Sequence, residues 1–297
     1  SELSYLIQSQ RDNKKTALSE YKAKIKSHQT NLEYVTPKLH YRVSNISKKY
    51  LNKRNKPTIA IVREQGVNGH KERANAFNLA GFDCYDINTN DVIVNPALLN
   101  EYHGLVACGG FSYGDVLGAG RGWANKIKYN HDALNSLSKF FSDKNKFTLG
   151  VCNGCQMLSN LKSIIPGSEH WPKFIKNNSN QFEARQVLVK IPKSNSMLFK
   201  DMHKSILPII VSHGEGKVSI KNKASIKKAT MQYVDMSGKY TEEYPYNPNG
   251  SLSGVTGFCN NDGRINIMMP HPERLTHINN FSWAPEEWKL SPWLKLF

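Results

Sequence analysis

One short stretch limits this chain more than any other: Phe147-Thr148-Leu149-Gly150-Val151-Cys152-Asn153-Gly154-Cys155-Gln156. An apolar run meets a cysteine set between glycines, and helical spacing follows from Gln156 to Lys162. That spacing predicts a strand, a sharp turn and a helix, with Cys152 as the nucleophile of a Gly-x-nucleophile-x-Gly elbow. Glycine is needed on both sides because flanking side chains would clash on so tight a turn. The turn also places the sulfur at a helix N-terminus, where free N–H groups and the helix dipole favour a thiolate over a thiol. Cys152 and Cys155 also spell C-x-x-C, the pattern of half a zinc site or of a redox pair. No second C-x-x-C or paired-histidine module exists to complete a zinc site. A redox pair, or a simply packed thiol, stays open on this segment alone.

With 297 residues the chain has room for one large α/β domain and an extra segment. No apolar run approaches the about 18 residues of a membrane span, and no secretory signal opens the chain. Five scattered cysteines are too few for a disulfide framework, so a reducing, cytoplasmic setting is expected. The net charge of +16 is lopsided: residues 1–56 hold 13 Lys+Arg against 4 Asp+Glu. The remainder is dispersed along the sequence, without a recognised nucleic-acid module. Neither a nucleic-acid nor a membrane partner is therefore expected, and the positive charge suits a phosphorylated small substrate or an acidic partner better.

Residues 1–56 read as polar, helical or irregular, with Leu3-Ser4-Tyr5-Leu6-Ile7 anchoring a short helix and no sustained periodicity from Asn31 to Pro57. Two parts are expected: 1–56 as a linker or the tail of something preceding, and 57–297 as the functional domain. Strands are predicted at Thr58 to Val62, Phe82 to Ile87, Gly104 to Cys108 and Phe147 to Val151. Helical spacing falls between them, through Ala74 to Leu79 and as one long helix from Trp123 to Phe141. Such alternation predicts an α/β, doubly wound, mostly parallel sheet with function at the strands' carboxyl ends. From about residue 180 shorter strands (Phe182 to Ile191, Ile206 to Val211, Lys217 to Ile220, Thr230 to Val234) are expected to extend that sheet or form an antiparallel flap. A late strand, Arg264 to Met269, leads into Pro270-His271-Pro272-Glu273-Arg274.

A cysteine nucleophile needs a histidine base, and the base needs a carboxylate to fix its tautomer. His271 follows a buried-type strand and has Glu273 two residues on; Pro272 is expected to hold the segment extended so that the carboxylate reaches Nδ1. His213-Gly214-Glu215 has the same spacing, but its glycines suggest a loop suited to substrate contact. The other histidines considered, His40, His70, His103, His131, His170 and His203, lack such a setting. An oxyanion hole would take one N–H from Asn153 and another from the glycine-rich turn Gly109-Gly110-Phe111-Ser112-Tyr113-Gly114-Asp115. Gly118-Ala119-Gly120-Arg121-Gly122 superficially suggests a nucleotide loop but lacks the spacing of one.

Taken together, Gly150-x-Cys152-x-Gly154-x-Gln156, the Gly109-Gly110 loop and His271-x-Glu273 resemble the triad-type (class I) glutamine amidotransferases. The loop Gly109 to Asp115, Cys152-Asn153-Gly154-Cys155-Gln156 and Met269 to Arg274 look more narrowly like the glutaminase part of the phosphoribosylformylglycinamidine synthases. So do Arg63-Glu64-Gln65-Gly66-Val67-Asn68, Ile165 to Glu169 and Ser212-His213-Gly214-Glu215-Gly216. The resemblance covers the chain from about residue 57 to its end. It implies a class I glutaminase fold, with Cys152 as nucleophile, His271 as base and then acid, and Glu273 as orienter. It implies Gly110 and Asn153 as oxyanion donors, with Gln156, Glu215 and Gly216 around the amino-acid head of L-glutamine. No metal or cofactor would be held by this chain. ATP and Mg would belong to a synthetase domain of the same longer polypeptide, reached through an ammonia channel. Residues 1–56, and the opening on Ser1, fit the tail of that synthetase portion. The alternatives are a glutaminase serving a different synthetase, or a non-catalytic or redox Cys152–Cys155 module.

Overall fold

The computed structural model describes residues 1–29, 37–43, 54–118 and 120–297. A nine-stranded sheet organises them, in the order β2-β1-β3-β4-β11-β10-β9-β6-β7. Its first half is parallel: β1 (Thr58–Arg63) lies between β2 (Asp83–Asn88) and β3 (Gly104–Ala107), followed by β4 (Phe147–Val151) and then β11 (Ile265–Met268). The interiors of β1, β3, β4 and β11 are buried throughout. That is why they read as continuous apolar runs: a parallel sheet is covered on both faces. The helices α3 (His70–Leu79), α4 (Thr89–Val94), α5 (Arg121–Lys128), α6 (His131–Ser142) and α7 (Asn153–Asn160) supply that cover. The expected α/β, doubly wound, mostly parallel sheet with additional antiparallel strands is the fold observed.

One local expectation needs correction and one strand went unread. The stretch from Trp123 to Phe141 is two helices, because Tyr129 ends α5 and the Asn130 side chain caps α6 by accepting from the Ala133 N–H at 2.9 Å. The strand β10 (Val255–Cys259) was not anticipated. It lies between β11 and β9 (Ala229–Val234), fully buried, with register shifts at Gly257, and its short run Val255-Thr256-Gly257-Phe258-Cys259 has no alternation to reveal it. Of the two alternatives for the later strands both occur: β5 (Lys173–Ile175) and β8 (Lys217–Ser219) form a separate antiparallel pair, and the others extend the main sheet.

The antiparallel half continues through β6 (Glu183–Lys190) to β7 (Ile206–His213). It curls back, because the outer strand β7 bridges to the segment after β11: the His271 N–H donates to Ile210 O at 2.8 Å. The far end of β7 exchanges hydrogen bonds between Ile206 and Lys38. The N-terminal segment, expected to be partly irregular, contains α1 (Glu2–Arg11) and α2 (Lys14–Gln29). They rest on the body through buried Ala17 and through Ser19 Oγ donating to Tyr244 O at 2.7 Å. The aperiodic stretch from Asn31 falls partly outside the described residues. Among those described, no helix is long and apolar enough to cross a membrane.

Candidate active site

Four segments end at the same edge of the sheet: the turn after β1, the Gly109–Asp115 loop after β3, the elbow after β4 and His271 beyond β11. Carboxyl ends of parallel strands are where open α/β sheets place their sites. Cys152 caps α7 with φ 54° and ψ −112°, outside the regions a side chain prefers. Strain of this kind, about 1–3 kcal/mol, persists only where the surroundings impose it. They do so here. A Cβ on Gly154 would lie 2.1 Å from Ala107 O, and one on Gly150 would lie 2.6 Å from Leu158 Cδ1. Both elbow glycines are thus dictated by close packing of α7 on the sheet. Gly120 serves the same end, since a Cβ there would lie 2.6 Å from the Met157 nitrogen. The glycine run that resembled a nucleotide loop is used, at Gly120, to pack a helix.

Cys152 and His271, distant in sequence, meet beside Gly109. A Cβ on that residue would stand 2.9 Å from His271 Cε1 and 3.2 Å from Cys152 Cβ. His271 Nδ1 lies 2.6 Å from Glu273 Oε1, while its buried Nε2 has no aligned hydrogen-bond partner and feels the Cys152 sulfur. The Cys152 thiol itself points at Ser212 O, 3.6 Å away on β7. The route to the His271–Glu273 contact differs from the expected extended segment: Pro272–Leu275 is a 3-10 turn with proline at its first position. Proline's fixed φ suits the start of a helical turn as well as an extended chain, so the sequence did not distinguish them.

The electrostatics rest on a residue absent from the sequence reading. Arg73, fully buried on α3, places its guanidinium 2.6 Å from Glu273 Oε1. Burial alone would push the Glu273 carboxyl up, but Arg73 and then His271 hold it well below the usual carboxylate range. Burial likewise opposes a charged His271, yet Glu273 first and the Cys152 sulfur second raise it above an ordinary imidazole. A paired Arg–Glu–His chain therefore reaches the sulfur. Arg73 was illegible because one arginine on a polar helix face looks like any solvated cation.

The oxyanion candidates also lie here. Gly110 takes φ 147° and passes so close to the preceding turn that a Cβ would sit 2.6 Å from Val67 Cα. Among the described residues no hydrogen bond takes the N–H of Gly110 or of Asn153. The Asn153 side chain ties the loop to the elbow, accepting from Ser112 N at 3.3 Å and donating to Asp115 Oδ1 at 3.0 Å and Gln156 Oε1 at 3.1 Å. Gln156 in turn donates to Glu215 O at 2.6 Å. Gly216 is engaged on both sides: its N–H donates to Asn177 Oδ1 and its carbonyl accepts from Asn249 Nδ2, each at 2.9 Å.

Asp115, quoted in the loop but given no role from sequence, faces Glu215. Burial first and Glu215 second push its carboxyl up to about 6, against the pull of Asn153. Glu215 Oε2 is buried without a hydrogen-bond partner. His213 is not on a loop; it closes β7, buried, with Nε2 3.2 Å from Asn249 Nδ2. Burial and then His271 push it down to about 3, so it is a neutral imidazole. Cys155 is fully buried and its thiol is raised well above the usual value by burial and by Cys152. Among the described residues no cluster of His, Cys, Asp or Glu is arranged to hold a metal.

Solved structures similar to the chain include "Structure of PurLQS from Thermotoga maritima", at 23% identity and TM-score 0.59, covering 76% of this chain and 92% of that one. The glutaminase domain of Trypanosoma brucei CTPS with bound acivicin matches at 15% identity and TM-score 0.47, covering 75% and 89%. A putative GMP synthase subunit from Thermoplasma acidophilum matches at 16% identity and TM-score 0.45, covering 82% and 92%. The model of one protein family matches residues 56–297, and by that match the chain belongs to the CobB/CobQ-like glutamine amidotransferase domain family.

Proposed function

We propose that this chain is the glutaminase part of a phosphoribosylformylglycinamidine synthase, releasing ammonia from L-glutamine. The observation that carries the chemistry is the meeting of Cys152 and His271 beside Gly109, with Glu273 on the Nδ1 side of the imidazole. Cys152 Sγ attacks the side-chain amide carbon, and the oxyanion faces the Gly110 and Asn153 N–H groups. Imidazolium His271 gives its proton to the departing nitrogen, so ammonia leaves and a γ-glutamyl thioester remains. Neutral His271 then takes a proton from water, which attacks the thioester and expels the Cys152 thiolate, so glutamate leaves and the thiolate–imidazolium pair is restored. Glu273 fixes the imidazole by accepting from Nδ1. The reaction needs no cofactor on this chain. The assignment to that synthase is supported by the loop Gly109 to Asp115 and by the motifs around Cys152 and His271. On this reading ammonia passes to a synthetase domain that uses ATP and Mg to turn formylglycinamide ribonucleotide into the amidine. Residues 1–56 are its tail, and the protein works in the cytoplasm. A diazo-ketone or chloroketone mimic of glutamine should alkylate Cys152 and spare Cys155. Labelling of both thiols alike, or of neither, rejects the glutaminase reading.

Asp115 and Glu215 hold the substrate's ammonium group in this proposal, with Gln156 and Gly216 fixing the Glu215 loop. Two facing carboxyls with no salt-bridged cation among the described residues make the site incomplete until a positive group enters. The sign follows from Asp115. Its carboxyl, raised to about 6, is protonated below that pH and must lose the proton before it can pair with an ammonium. Glutamine affinity of the Cys152→Ala protein should therefore rise with pH through about 6 and then level. Asp115→Asn should flatten that profile and weaken binding roughly tenfold or more. A pH-independent affinity in the parent protein would remove Asp115 from the subsite.

A further inference from the structure

Lysines that look dispersed in the sequence converge on a second cleft. It has a volume of about 580 Å³ and is built from Lys162, the turn Glu169 to Lys173 and the strip Ser219 to Ser225. Lys162 follows the elbow helix α7, Lys173 begins β5, and Lys221 follows β8, which pairs with β5. Burial and then the positive charges of Lys173 and Lys221 push the Lys162 ammonium down. Glu169, the only acidic side chain among the lining residues, offsets this least. Lys162 donates to Trp171 O at 2.7 Å, which anchors it to the floor. None of the three lysines has a carboxylate within salt-bridge distance among the described residues. Lys223, Lys227 and Lys228 lie on the adjoining 3-10 turn, and Lys228 adds to the positive potential at His170.

Unneutralised ammonium groups around a cleft repel one another until an anion enters. The volume falls in the range of small-ligand pockets, and hydroxyls of Ser219 and Ser225 and the amide of Asn222 supply neutral donors beside the charges. A single carboxylate would leave most of that charge uncompensated, whereas a chain of phosphates would span it. We propose that this cleft binds the di- or triphosphate chain of a small molecule, held by Lys162, Lys173 and Lys221. The site is separate from the cysteine centre and independent of the glutaminase reading.

Calorimetric titration of the chain with inorganic tripolyphosphate, ATP and sulfate tests this, with Lys173→Glu/Lys221→Glu as the comparison protein. Both positions are exposed, so the variant should keep the parent melting temperature. Saturable one-to-one binding of tripolyphosphate, at least roughly tenfold tighter than sulfate and weakened roughly a hundredfold in the variant, is expected. ATP binding more tightly than tripolyphosphate assigns the ligand to nucleotides, and equal affinity assigns it to the phosphate chain alone; both support the site. No saturable binding by either phosphate probe overturns it. So does binding that the variant leaves unchanged, or capture of an acidic peptide where both phosphate probes fail.

Discussion

Cys152→Ala should abolish glutamine hydrolysis, lowering turnover by roughly 10⁴-fold or more, because no other group can form the thioester. Cys155 cannot substitute for it: that thiol is fully buried and held protonated by its surroundings. The fold should survive with little change, since alanine keeps the Cβ at the same φ of 54° and only the sulfur is removed. If the chain is the proposed part of a larger synthase, the complete enzyme carrying this substitution should still use free ammonia. Loss of both activities would make Cys152 a structural residue, and retention of glutamine turnover would end the proposed mechanism.

Glu273→Gln should cost both rate and stability, for separable reasons. The amide keeps the shape of the carboxylate but gives up its charge, so His271 loses the partner that keeps it an oriented imidazolium. Loss of such an orienting charge lowers turnover by roughly 10²- to 10⁴-fold. On the other side, Arg73 is left as a fully buried guanidinium without its counter-charge. Breaking a buried pair by removing one partner costs about 3–5 kcal/mol. Adding Arg73→Met should restore much of the stability in a urea melt while leaving the rate low. Near-normal turnover in Glu273→Gln would remove the carboxylate from the mechanism. A double variant as unstable as the single one would remove Arg73 from the account of stability.

The parallel half of the sheet was legible because its inner strands, buried on both faces, carry mostly apolar runs such as Thr58 to Val62. The elbow was legible because its glycines answer to contacts that any side chain would violate, Gly154 against Ala107 O above all. Cys152, His271 and Glu273 could be paired from sequence, since their chemistry demands one another. What could not be read was convergence carried by tertiary curvature. β10 is a short run without alternation, and nothing in the spacing of β7 says that it returns to His271. Arg73 and Asp115 are ordinary charged residues until the fold sets them against Glu273 and against Asn153 and Glu215. Lys162, Lys173 and Lys221 likewise form a group only after β5 and β8 pair.

The outer strand joins two places that would otherwise be unrelated. At one end β7 is stitched to Lys38 through Ile206, and near the other it offers the Ser212 carbonyl to the sulfur and Ile210 to the base. A strand resists sliding in pieces, because each residue it shifts turns its neighbours to the opposite face. Paired with β6 along all of its residues, β7 holds the Lys38 bridge and the carbonyl that looks at the thiol in one register. The margin of the sheet thus binds the leading segment and the reacting sulfur into one rigid piece.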